Sequence, residues 1–517
     1  MAERSGASTV VSEGNEGEKH NSIDDTAERK NKRLKCVEKD DQDFISELPD
    51  CLIQHILSFL PSTKDASTKN AIRTGILSKR WLNQWTYLPI LIFKSNGMSI
   101  QNFSDFIDDA LSFYNFWKIN KFVIISHDSY MGELHHKFTR WIRFATRRDV
   151  KELIVECENQ DNENILQDYD LPRLLFKNVF LVKLKTHGFV FTPRKGKVNW
   201  ASLKALHIGY AYLPNQGIEN VLSGSPVIEF LELCNCKGFE DLVITSKSLK
   251  TFRMIQSRDH TSAIEISCPN LEKLDMLGEV WFKSLKFKAL PSSVCATLNF
   301  GNDIGLHYLG NEKLKWVKEF LLQFQHVEEL KLGPWFLMFL SLAAVRGEST
   351  LLLNNKCLTV VDSFPEVRHL GLPISQLIFS LLEKLVLQLH PKKRFDLMGS
   401  QSFTRIRKKY SELKEGVFDS LVSHLKTVEI VGLHYLWSNG GGEHKDTLRF
   451  IRFLFTNARM LEKIVLVEAP GQGMVFAHQF CKKLSRIQKA SPHVIVEVAC
   501  LKQHDSDSDS DWDKVEC

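Results

Sequence analysis

Ile228-Glu-Phe-Leu-Glu-Leu233 carries apolar residues at its first, fourth and sixth positions, and the chain returns to that spacing many times. Copies read Val150-Lys-Glu-Leu-Ile-Val155, Leu181-Val-Lys-Leu-Lys-Thr186, Leu203-Lys-Ala-Leu-His-Ile208, Leu249-Lys-Thr-Phe-Arg-Met254 and Leu271-Glu-Lys-Leu-Asp-Met276. Weaker or wider-spaced copies begin at Cys295, Val327, Val367, Leu382, Leu425 and Leu461. From 181 to 295 the steps are 22, 25, 21, 22 and 24 residues. A period of about 20–29 residues marks a stacked array whose units bury their apolar faces only against one another. The last two apolar positions put a strand's inward face into a continuous core, and the residue between them points out.

The outward residues are therefore His207, Glu232, Arg253, Asp275, Asn299, Lys331 and Glu429. Both charge signs alternate with neutral groups. A groove for nucleic acid would be dominated by Lys and Arg, so this face is expected to take a protein or a mixed polar ligand. After residue 300 the period loosens, and helices or loops are expected between the blocks, including the apolar run Phe336 to Val345. That run is far short of the roughly 20 residues of a membrane span and reads as a buried helix.

Ahead of the repeats, Leu52, Ile53, Ile56, Leu57 and Leu60 recur at helical spacing and make a broad apolar stripe. Pro49 suits the first helical position, Asp50 the first turn, and Pro61 cannot continue the helix. Leu77, Trp81 and Trp85 fall four apart, on one face of a second short helix that Gly75 sets off. A unit this short cannot bury so much apolar surface alone. It must dock onto the rest of the chain or onto another protein.

Asp43-Phe-Ile-Ser-Glu-Leu-Pro-Asp50 and the closing Leu77-Ser-Lys-Arg-Trp81 resemble the F-box of plant F-box proteins. The resemblance implies a three-helix hook that binds the Skp-type adaptor of a cullin-based ubiquitin ligase. Carried over by position, Leu48, Pro49, Leu52, Ile56, Leu57, Leu60, Leu77 and Trp81 would meet that adaptor. The chain departs from the family in a tandem copy, Ser62-Thr-Lys-Asp-Ala66 followed by Ser67-Thr-Lys-Asn-Ala71. Five extra residues exceed one helical turn, so the insertion must loop out or rotate the face after it. The periodic blocks fit leucine-rich repeats. Leu421 to Gly432 and Phe450 to Ile464 resemble the C-terminal FBD region that accompanies such repeats in plant proteins.

The expected fold is α/β: an F-box over 43–90, then a solenoid of parallel strands with helices or loops over 91–410. An FBD-like cap comes next over 411–500, and the termini, 1–40 and 503–517, are disordered. The function expected rests on the resemblance: a substrate-recognition subunit of a Skp-cullin-F-box ubiquitin ligase, its repeats holding a target protein. The alternative is a leucine-rich-repeat scaffold acting outside a ligase.

Composition agrees with a soluble globular chain: 517 residues, 43% hydrophobic, 25% charged, and a net charge of only +5. Eleven scattered cysteines and no apolar N-terminal segment point to a reducing compartment. Arg29-Lys-Asn-Lys-Arg-Leu-Lys35 is a solvated charge run or a nuclear import signal, which leaves nucleus, cytoplasm or both. Ser506, Ser508 and Ser510 each precede an acidic residue by three positions, a substrate pattern for an acidophilic kinase as well as a solubilising tail. No catalytic residue, metal site, cofactor or membrane contact is expected. Cys234 and Cys236 lack zinc spacing, His135-His136 has no carboxylate partner, and Gly440-Gly-Gly442 lacks the Lys-Ser/Thr of a phosphate loop.

Overall fold

In the computed structural model the described residues are 47–60, 67–126, 134–157, 170–193, 197–255, 263–278, 284–300, 311–362, 374, 376–389, 419–432, 445–468, 480–482, 486–487 and 489–500. Both termini, the first tandem copy, Arg29–Lys35, the Val367 block and Gly440–Gly442 lie outside them.

The repeats build one parallel sheet of fifteen described strands. Strands are numbered in chain order. The sheet runs β1 (Ile90–Lys94), β2 (Lys121–Ser126), β3 (Glu152–Cys157), β4 (Lys183–His187), β5 (Ala205–Gly209), β6 (Phe230–Cys234) and β8 (Thr251–Ile255). It continues through β10 (Lys273–Gly278), β12 (Cys295–Phe300), β13 (Glu329–Leu332), β15 (Cys357–Asp362), β17 (Lys384–Leu389), β18 (Thr427–Val431), β19 (Lys463–Glu468) and β20 (Ile495–Cys500). A second parallel layer holds β7 (Asp241–Thr245), β9 (Ala263–Ser267) and β11 (Ser284–Ala289); β14 (Leu351–Leu353) pairs with β16 (Leu377–Phe379). The fourth and sixth positions do face inward: Leu231 and Leu233, Phe252 and Met254, Leu274 and Met276 are at most 2% exposed.

The array starts earlier than Val150. Leu88-Pro-Ile-Leu-Ile-Phe93 and Ile119-Asn-Lys-Phe-Val-Ile124 carry the same spacing, and the starts at 88, 119, 150 and 181 step by 31 residues. Their apolar members are buried in the same core. The chain leaves the strands by a recurring device, a left-handed residue directly after β4, β5 and β6: Gly188 (φ 82°), Tyr210 (φ 48°) and Asn235 (φ 47°). The apolar run after β13 is the helix Pro334–Arg346, with Trp335, Phe336, Phe339 and Leu340 buried. The FBD-like segment supplies β18, β19 and β20, so it extends the sheet by three strands.

Candidate functional site

The hook begins with α1 (Asp50–Phe59), whose start differs by one residue from expectation. Pro49 stands just outside, and its carbonyl accepts the amides of Leu52 (2.9 Å) and Ile53 (3.1 Å). At about 100° per residue, the apolar stripe splits into two arcs. Ile53 and Leu57 are buried and Leu60 is half-buried against the core. Leu52, Ile56 and Phe59, on the neighbouring arc, are 43–59% exposed. The second copy of the tandem repeat forms α2 (Thr68–Arg73), which runs into a 3-10 turn, Thr74–Ile76. A further 3-10 turn, Gln84–Tyr87, completes the hook. Arg80 clamps Asp50 at 2.9 Å, and Gln54 donates to Gln84 at 3.0 Å.

Two of the expected adaptor contacts are corrected. Leu57 and Trp81 face the chain's own core, together with Trp85, Leu88, Leu91 and Phe93. The reason is the position of β1, which brings a second apolar surface under the hook. Leu77 does not share a face with Trp81, because the backbone between them is turns and not a regular helix. Of the expected set, Pro49, Leu52, Ile56 and Leu77 are exposed, and Leu48 and Leu60 are half-buried. Phe59, Ile76 (91% exposed) and Leu82 join the exposed apolar surface and lie outside the expected set. Phe59 was findable, since it follows Leu52 and Ile56 at helical spacing.

Across the sheet, His207, Glu232, Arg253 and Asp275 are register neighbours on four adjacent strands. They bind one another. His207 Nδ1 lies 3.2 Å from Glu232, Arg253 Nη1 reaches Glu232 at 3.3 Å, and Arg253 Nε reaches Asp275 at 3.2 Å. Lys273 adds a weaker approach to Asp275 at 3.7 Å, and Lys185 pairs with Glu156 at 2.8 Å. Burial pushes the Glu232 carboxyl up, but the His207 hydrogen bond and the charges of His207 and Arg253 outweigh it, so the net direction is down. Burial holds the neighbouring His187 below the usual histidine range. Lys331 is pushed down to about 8 by burial.

Asn299 faces outward as expected, one pair away from the row of His207, Glu232, Arg253 and Asp275. The residue in register between Asp275 and Lys331 is Thr297, and Asn299 lies opposite Leu277, one pair further along. The inward positions of β12 are Ala296 and Leu298. A small alanine in a leucine position shifted the apparent frame by two residues. Glu429 sits in the same row, opposite Val386. Among the described residues no group of three or more His, Cys, Asp or Glu could hold a metal ion, and no helix is long and apolar enough to cross a membrane.

A hook with a greasy outer arc, fused to a parallel repeat sheet, defines the hook-plus-solenoid class of fold. Comparison with known proteins makes this specific. The family model for the leucine-rich repeats of the FBD-associated F-box protein At5g56370 matches residues 138–294, and the FBD model matches 413–466. The putative F-box protein At1g49610 of Arabidopsis thaliana is 31% identical over 329 residues, which cover 63% of this chain and 78% of that protein. The putative F-box/LRR-repeat protein At3g18150 and the F-box/LRR-repeat protein At5g02910, from the same plant, are each 30% identical over 331 residues. Those matches cover 62% of this chain and 66% of either relative, just under two thirds of their length. The chain belongs to the plant F-box/leucine-rich-repeat proteins with an FBD region.

Proposed function

We propose that the chain is the target-recognition subunit of a Skp-cullin-F-box ubiquitin ligase. The observation that carries this reading is the outer arc of the hook. Leu52, Ile56, Phe59, Ile76, Leu77 and Leu82 are 43–91% exposed on a unit whose other face is already spent on the chain's own core. Large apolar side chains left exposed on a small unit mark a protein interface. A specific interface of this kind buries about 1,600 Å² in total, with a few large anchors dominating. The adaptor would dock there and bring the cullin, and the outward face of the sheet would hold the target protein. Holding a target lysine near a charged conjugating enzyme makes transfer effectively intramolecular. This chain supplies position and specificity, and other subunits supply the chemistry. The basic run Arg29–Lys35 would direct part of the population to the nucleus.

The test is capture of a purified Skp-type adaptor by the full chain and by the double variant Leu52→Asp, Ile56→Asp. Both side chains are exposed, so the variant should melt as the wild type does while adaptor capture is lost. Undiminished capture would remove the assignment.

A further inference from the structure

The hook has a second contact that adaptor docking does not use. β1 is the outermost strand of the fifteen-stranded sheet. In a parallel ladder the backbone groups of successive residues point alternately to the two sides. The Ser95 amide goes to Ile125 on the β2 side at 3.0 Å. By alternation, Ile92, the middle residue of β1, points its amide away from the sheet. Thr68 meets it there: its Oγ1 accepts the Ile92 N–H at 2.7 Å, in a buried contact. Thr68 is 3% exposed and Ala71, one turn on, is 1% exposed. Ile53, Leu57, Trp81 and Trp85 belong to one core with Leu88, Leu91 and Phe93.

We propose that the hook is also the amino-terminal cap of the sheet, with Thr68 as the positioning residue that locks it to β1. Repeat arrays need capped ends, and an open edge strand recruits other strands. The Thr68 hydroxyl fills the central donor position of that edge, and the shared core holds the helix behind it. The orientation of the outer arc relative to the sheet is then set by the fold, with no hinge between the adaptor face and the target face. Thr68 and Ala71 come from the second tandem copy, so that copy does the capping. The first copy precedes α2 in sequence.

Hydrogen exchange of the full chain, read by mass spectrometry, tests this in two arms. In Thr68→Val the shape is kept and the acceptor is lost, so the segment 90–94 should exchange about tenfold faster, the equivalent of one hydrogen bond. β5 and β6 should not change, and Thr68→Ser should stay within about twofold of wild type. Unchanged β1 exchange, or an equal rise in β5, β6 and β20, overturns the cap. The second arm uses wild-type chain with purified Skp-type adaptor and rests on the docking reading. Adaptor that protects α1 should also slow β1, and protection of α1 with β1 unmoved overturns the rigid mount. If α1 gains no protection, the docking reading fails, and the Thr68 variants alone decide the cap.

Discussion

β1 and β20 are the two outermost strands of one parallel sheet, built from similar stock: Ile-Leu-Ile-Phe-Lys against Ile-Val-Glu-Val-Ala-Cys. Their surroundings differ. Ile92 of β1 is 7% exposed and its amide is taken by the hook, whereas Ile495 and Val498 of β20 are 61% and 43% exposed. At the far edge the visible guard is charge: Glu497 on the strand, paired with Lys463 at 2.8 Å, and the acidic stretch Asp505 to Asp513 further on in sequence. Charged edge residues are a common defence against unwanted strand pairing. The contrast shows where stiffness is invested. Among the described residues, the edge beside the hook is sealed by core and hydrogen bond, and the far edge shows charge alone.

The largest expected effect breaks the hook into its two faces. Trp81→Ala should cost about 3–5 kcal/mol, because it opens a cavity beneath the hook. Ile76→Ala, a few residues away and 91% exposed, should stay within about 0.5 kcal/mol. Chemical denaturation followed by exchange in β1 reads both, and equal losses would dissolve the distinction between inner and outer faces.

Arg253→Met should come next, at about 2 kcal/mol, since it removes the direct partner of the buried Asp275 and one partner of Glu232. The loss should register in the middle of the sheet, by exchange in β6, β8 and β10, and leave both edges as they are. Acid should act on the same region. His187 is held neutral by burial, so its share of stability is present above its unfolded pKa of about 6.5 and is lost as pH falls. Glu232, shifted down, adds a second loss below about pH 4.3. Thermal midpoints between pH 7.5 and 5.5 should fall, and His187→Gln should flatten that slope. Gly209 belongs to this arrangement, because a Cβ there would collide with the His187 ring.

How much of this could be read from residues alone depends on what marks each position. Where the repeat carries Leu, Ile or Val, the unit is legible, and alternation puts His207, Glu232, Arg253 and Asp275 in one row. Pairing among them needs the register, which only neighbouring strands provide. β15 escapes the pattern because its first apolar position is Asn355, fully buried, whose amide donates to Phe324 (3.0 Å) and Val327 (2.6 Å) carbonyls. A polar residue whose amide donates to backbone carbonyls leaves no hydrophobic trace. In the hook both apolar arcs are visible by angle. Which arc turns inward is decided by β1, some thirty residues away, and no local pattern carries that information.

The smallest effect belongs to the far edge. Val498→Lys places a second charge on β20 at a side chain already 43% exposed, so stability should move by no more than about 0.5 kcal/mol. Its consequence should appear in association and not in folding. If charge keeps β20 apart from other strands, an added lysine should lower self-association at high concentration, measured by sedimentation or light scattering. The same change at the other edge, Ile92→Lys, should leave association alone and instead cost folding, because that position is 7% exposed beside Val123 and Ile154. Reduced association from Ile92→Lys with none from Val498→Lys would reverse the contrast between the two edges.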